Sequence, residues 1–195
     1  MNKTSSNQPM DKSATLNEAQ RDMCSGYAVG AVGVLVSGSV WLISAFVATY
    51  FSANIAIWTL LIGGAAISPI SSIIEKFMGL NGHKKGNPLK NLAMESTVWM
   101  IMCLPLAYGL SLQKVEWFFQ AMLLIIGGRY LTFATLFGKR VYWFLGASLG
   151  IAAFLLFRFE MKSFGSLLTG SLIEIVYGIF MYVFYRKTVM KIGSE

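Results

Sequence analysis

Three charged residues, Glu95, Arg129 and Glu174, stand inside runs that are otherwise apolar and long enough to cross a lipid bilayer. A charge at the centre of a membrane helix costs about 2.5–3.5 kcal/mol on insertion scales. Three of them therefore call for mutual pairing, a watery cavity, or both. Arg129 lies about nine residues from one end of its span, roughly 13 Å at 1.5 Å per residue, Glu174 is about halfway along its own, and Glu95 is shallower. The planar arginine fork reaches either carboxylate and favours bidentate pairing, so a Glu95/Arg129/Glu174 cluster is expected wherever the third, fourth and sixth spans are neighbours. In such a site Arg129 would hold an anionic or carbonyl group, and Glu174 would exchange a proton or bind a cation. The competing reading is a structural ion pair that fixes helix register, with Glu95 reaching the interface beside Lys90 and Asn91. Gly170, Ser171, Tyr177, Gly178 and Met181 share a face with Glu174, a small and polar stripe suited to bordering water. Ser171, Tyr177 and Trp99 are the candidate cavity lining.

Other chemistries find no residues. The sequence has no His-Glu-x-x-His, no Gly-Asp pair of an intramembrane aspartyl protease, no serine with a buried histidine and no phosphate loop. The single histidine, His83, falls in a loop, and Cys24 and Cys103 are not spaced for a metal. No enzymatic activity, metal or cofactor is expected, and both cysteines read as plain thiols.

The elements that must position the charges follow from hydropathy. The chain has 195 residues, 55% of them hydrophobic and 13% charged, with a mean hydropathy of +0.60. A spanning helix needs about 20 apolar residues, and six segments qualify: about residues 28–48, 53–74, 92–112, 117–137, 141–157 and 164–185. These runs are too long for barrel strands and lack alternating polarity. The expected fold is all-α, a polytopic bundle of six transmembrane helices in one domain at 28–187, preceded by a disordered polar tail at 1–14 and a short interfacial helix at 15–27, and followed by a tail at 188–195.

The net charge of +7 has a topological explanation. Lys3, Lys12 and Arg21, then Lys76, Lys84, Lys85 and Lys90, then Lys139 and Arg140, and finally Arg186, Lys187 and Lys191 all fall on one side, against Lys114, Arg158 and Lys162 on the other. The positive-inside rule puts both termini in the cytoplasm. Lys84, Lys85 and Lys90, in a long glycine-rich loop expected to be mobile, are the candidates for contact with anionic lipid. No nucleic-acid partner is expected. The polar N-terminal residues and the length of the first apolar run argue for an uncleaved anchor rather than a signal peptide.

Local signals refine this frame. Thr15-Leu16-Asn17-Glu18 fits a capping box, and Asn87-Pro88 has the order of a helix start. Gly26, Gly30, Gly33, Ser37, Ser44 and Ala48 line one side of the first span, a seam for another helix of the chain or for a second copy through Gly26, Gly30, Gly33 and Ser37. Trp41 and Trp99 lie too deep for an aromatic belt and must pack or line something. Leu60-Leu61-Ile62-Gly63-Gly64, Leu124-Ile125-Ile126-Gly127-Gly128 and Leu167-Leu168-Thr169-Gly170-Ser171 echo one another, as three stacked hairpins would.

The segments Glu18-Ala19-Gln20-Arg21-Asp22-Met23, Val34-Leu35-Val36-Ser37-Gly38, Ala56-Ile57-Trp58-Thr59-Leu60-Leu61, Gly86-Asn87-Pro88-Leu89 and Trp117-Phe118-Phe119-Gln120 through Gly127-Gly128-Arg129-Tyr130-Leu131-Thr132-Phe133 carry a resemblance. They are similar to a family of small bacterial integral membrane proteins defined by a domain of unknown function. The resemblance covers spans one to five, weakens in the sixth, and implies no activity. The expectation is a multi-pass protein of the bacterial inner membrane, a small transporter or permeation protein for an ion or small molecule. The alternative is a non-transporting scaffold that contacts lipid or a partner.

Overall fold

The computed structural model of the chain describes residues 15–192, with side chains through Lys187. The expected disordered tail at 1–14 lies outside the described residues. Seven α-helices follow one another, α1 (Leu16–Gly26), α2 (Ala31–Tyr50), α3 (Ala53–Phe77), α4 (Leu89–Ser111), α5 (Val115–Phe137), α6 (Val141–Arg158) and α7 (Ser163–Ile192), with a 3-10 turn at Ala28–Gly30 between the first two. The segments at Ala28–Tyr50, Ala53–Phe77, Leu89–Ser111, Val115–Phe137, Val141–Arg158 and Ser163–Lys187 are each long and apolar enough to cross a membrane. The fold is all-α and the protein is a multi-pass membrane protein.

Close approach of backbones holds the bundle together. The broadest contact joins the first and last spans, α2 and α7, followed by α5 with α6, α2 with α3 and α4 with α5. A Cβ on Gly38 would meet Ile175 Cγ1 at 2.8 Å, one on Gly170 would meet Trp41 Cε3 at 3.0 Å, and one on Gly178 would meet Leu35 Cδ2 at 2.8 Å. These pairs run in opposite directions along the two helices, so α2 and α7 cross antiparallel. Gly127 and Gly146 do the same for α5 and α6, each Cβ position falling against the other's carbonyl. Dispersion and close packing, rather than a hydrophobic drive, bring helices together in lipid. At least one glycine of each echoed string thus sits at a helix crossing, Gly63 against Val40, Gly128 against Trp99 and Gly170 against Trp41, while a Cβ on Gly64 would meet nothing within 4 Å.

α1 is the lid over one end of this bundle. Its capping box forms, with the Thr15 amide donating to Glu18 Oε2 at 2.7 Å and the Glu18 amide to Thr15 Oγ1 at 3.4 Å. Ala19 and Met23 are buried while Leu16 is exposed. Gln20 Nε2 donates to the Thr135 carbonyl at 2.7 Å and Cys24 Sγ to the Phe137 carbonyl at 3.1 Å, serving carbonyls that the C-terminus of α5 leaves without helical partners. Burial pushes the Cys24 thiol up from its ordinary value, against the opposing field of Lys139, which keeps it a donor rather than a thiolate.

The long loop was expected to be mobile, but α1 fastens it. Asp22 Oδ2 accepts from the Lys84 amide at 2.9 Å and from Asn87 Nδ2 at 2.7 Å. Asn87 Nδ2 also reaches the Ala19 carbonyl, and its Oδ1 accepts from the Leu89 amide at 3.0 Å, which starts α4. Tyr27 and His83 stack and share a 2.7 Å hydrogen bond. Pro69 and Pro105 lie inside α3 and α4, which continue past them.

Between α1 and α2 the chain turns through three consecutive positive-φ residues, Ala28 (46°), Val29 (60°) and Gly30 (78°). Left-handed backbone costs an L-residue about 1–2 kcal/mol, most for a β-branched one. The turn is held from α6: the buried Tyr142 hydroxyl donates to the Val29 carbonyl at 2.7 Å, while Phe137 closes on Gly30. Tyr142→Phe should therefore lower stability by about 1–3 kcal/mol, the cost of orphaning a buried carbonyl, and Gly30→Ala by more, since its Cβ would strike the Tyr142 hydroxyl at a φ that already disfavours it. Melting of the two variants in detergent measures both.

Candidate functional site

Glu174 sits on the face of α7 that meets α2 and is fully buried. Its Oε1 accepts from the Tyr130 hydroxyl of α5 at 3.0 Å, and its Oε2 has no partner. Ser37 of α2 is buried next to both the Glu174 carboxyl and the Tyr130 phenol. One turn along α7, Ser171 Oγ donates to the Gly38 carbonyl at 2.9 Å. Gly38 leaves the room that Glu174 occupies, since a Cβ there would come 3.2 Å from Glu174 Cβ. Three helices thus converge on one carboxyl group, and one of its oxygens is left over.

Arg129 is the neighbour of Tyr130 in sequence but turns about 100° away around the helix. Its Nη2 donates to Thr97 Oγ1 of α4 at 3.1 Å, and its Nη1 lies 3.8 Å from Met100 Sδ. The guanidinium covers the Phe133 ring at 5.1 Å, a cation–π contact that is strengthened away from water. Arg129 Nε is buried without a partner. Arg129 is close enough to Glu174 to act on it electrostatically, yet they form no ion pair. Among the described residues the ion pair found is Lys114 with Glu160 at 3.2 Å, on exposed side chains.

The remaining sequence candidates separate. Glu95 is exposed on the outer face of α4. There it lines an open groove of about 370 Å³ with Asn91, Met94, Val98, Trp99 and Met102. Ser171 lies in the α2/α7 contact, Tyr177 shares a 3.2 Å hydrogen bond with Ser148 of α6, and Trp99 rests over Gly128. These three do not surround one space. Gly26, Gly30, Gly33 and Ser37 face Gly82, Tyr142, Ser71 and Glu174 of the same chain. Lys85 and Lys90 are exposed and Lys84 is half-buried. Among the described residues no three His, Cys, Asp or Glu side chains gather as a metal site would require.

Residues 16–187 match a family described as a family of unknown function, DUF7010. The chain belongs to this family. The match includes the sixth span and with it Glu174, beyond the reach of the resemblance seen in the sequence strings. No curated protein and no solved structure matches the chain.

Tyr130 and Ser37 are the site neighbours that sequence reasoning passed over, and Glu75 is a further buried carboxyl group that it missed. Tyr130 was visible only as the residue after Arg129, and Ser37 only as a small residue of a seam. Glu75 was placed at the start of a loop, but α3 continues to Phe77 and buries it. The spacing of Ser71 and Glu75, four residues apart on the face that begins at Ala56 and Leu60, is the helical signal that marks them. Tyr130→Phe should lower stability by about 1–3 kcal/mol by leaving Glu174 with two orphaned oxygens, and Tyr130→Phe combined with Glu174→Leu should recover part of that loss. A double-mutant cycle on detergent melting temperatures gives the coupling.

Proposed function

We propose that the protein is a small transporter or permeation protein of a bacterial inner membrane, with both termini cytoplasmic and Glu174 as the group that carries a proton or small cation. The observation that carries this reading is the orphaned Oε2 of a fully buried carboxyl group. An oxygen of that kind in an apolar interior is satisfied by a bound proton or a cation. An ionisable side chain at membrane depth is expensive to keep and marks ion pathways and proton relays in membrane proteins. Glu174 also sits where α2, α5 and α7 meet, so filling or emptying it acts on three helix contacts together.

Arg129 has the complementary role. Its buried Nε and absent carboxylate partner suit an anionic or carbonyl group admitted between α4 and α5. α4 can move to admit it, because its packing partner is chiefly α5. No catalytic role is proposed. The exposed Lys85 and Lys90 suit anionic headgroups on the cytoplasmic leaflet.

The purified protein and Glu174→Gln should be melted in parallel from acid to alkaline pH and with a panel of alkali cations. The wild-type melting temperature should move with pH or with one of the cations more than that of Glu174→Gln, the difference being the share that belongs to Glu174. Superimposable curves for the two proteins would remove Glu174 from any carrier role and leave the scaffold reading.

A further inference from the structure

A second set of buried polar groups leads from one end of the bundle toward Glu174. Ser71 of α3 is buried with its hydroxyl unpartnered. It faces Gly33 of α2, where a Cβ would meet nothing closer than Ser71 Oγ at 3.9 Å. This is unlike the crossings at Gly38, Gly63, Gly127, Gly170 and Gly178, where a Cβ would lie under 3.0 Å from a neighbour. The bundle is tight at those five glycines, whereas at the partly exposed Gly33 a methyl-sized space remains beside Ser71. One turn from Ser71, toward the lid, Glu75 is 7% exposed. One turn from Gly33 in the other direction, about 5.4 Å along α2, Ser37 adjoins Glu174 and Tyr130.

Beyond Glu75 lies Tyr27, at the lid. Burial pushes the Tyr27 phenol up from its ordinary value, the His83 backbone opposes this, and the Glu75 and Asp22 carboxylates add to it. Tyr27 is thus within the field of Glu75 and bonded to a half-exposed histidine. The groups follow in order: His83, Tyr27, Glu75, Ser71, the space at Gly33, Ser37, Glu174.

We infer that this row is the route by which protons reach Glu174 from the cytoplasmic end, with Glu75 as its entrance and the space at Gly33 as the place for water between the two serine hydroxyls. The inference rests on the reading of Glu174 as the carrier, and it selects the proton over a cation. A cation coordinated in a membrane bundle draws on carbonyls of unwound helix. Here α2 runs unbroken over Ala31–Tyr50 and α7 over Ser163–Ile192, and the Gly38 carbonyl beside Glu174 already accepts from Ser171. Hydroxyls and carboxyls spaced one helical turn apart suit proton hopping instead, with a water bridging each step that the side chains do not span themselves. In one transfer the Glu75 carboxyl becomes a carboxylate and Glu174 a carboxylic acid, while each serine gives up one proton and receives another. The groups facing Glu174 are Tyr130 and Arg129 of α5 and Ser37 of α2, with Tyr142 of α6 behind Tyr130. The group facing Glu75 is Tyr27, which also feels Asp22 and is bonded to His83.

Infrared difference spectra between acid and alkaline pH, compared for wild type and Glu174→Gln, identify the carboxyl band of Glu174. The rate at which that band shifts after transfer to D2O then reads access. Glu75→Gln, Ser71→Ala and Gly33→Val should each slow exchange about tenfold or more, as loss of a positioned proton carrier does. Gly33→Ala, whose methyl group fits, should stay near wild type. Wild-type exchange rates in both folded Glu75→Gln and Ser71→Ala would overturn the route while leaving Glu174 as carrier. Absence of any band that Glu174→Gln removes would overturn the carrier reading itself. Should Gly33→Val fail to fold, the near-isosteric Glu75→Gln decides.

Discussion

A polar group inside a lipid-embedded bundle has only other protein groups to satisfy it, and the antiparallel contact of α2 with α7 is where this chain concentrates that demand. Gly38 lets the helices approach until Ser171 bonds its carbonyl and Glu174 fits beside it. The same approach places Ser37 near the carboxyl group and leaves Tyr130 of α5 as the donor. Without the small residues of α2 and α7 neither helix could come close enough for this, and Glu174 would face hydrocarbon. Packing and polarity here are one constraint: the glycines set the distance, and the distance sets which oxygens find partners.

Arg129 and Tyr130 show how one helix divides the polar load. Being adjacent on α5, they must point in different directions, and each takes a different neighbour, α4 for the guanidinium and α7 for the phenol. The expected three-residue cluster is replaced by two half-satisfied sites. Glu95 joins neither, since it lies on the outward face of α4, opposite the buried face on which Ser96 contacts the bundle. A charge near the start of a span reaches the interfacial region, so Glu95 can stay exposed at modest cost.

The spans were legible because length and hydropathy alone determine what crosses a bilayer, and the capping box at Thr15 and Glu18 was legible because it is local. The depth of Glu174 and Arg129 was also readable, since depth follows from position within an apolar run. Their partners were not, because which helices touch depends on contacts more than a hundred residues apart, such as Gly38 with Ser171 and Val29 with Tyr142. The left-handed turn at Ala28–Gly30 was hidden for the same reason. Nothing local favours it at Ala28 or Val29, and a tyrosine from α6 holds it. Glu75 was misplaced by a boundary error of three residues, which moved a buried carboxyl group into a loop.

The lid and the α2/α7 contact impose an order on synthesis. α1 is made first, yet its bonds to the carbonyls of Thr135 and Phe137 await the end of the fourth span, and those to Lys84 and Asn87 need the loop that follows the second. α2 enters the bilayer with its Gly38 face bare until α7, the last helix, arrives to cover it. A chain made only as far as α3 therefore shows an open seam on its first span and an undocked N-terminal helix in the aqueous phase. The N-terminal helix can dock once α5 is made, whereas the seam closes only when α7 arrives, so the two surfaces mark successive stages for any membrane protease or chaperone that inspects them.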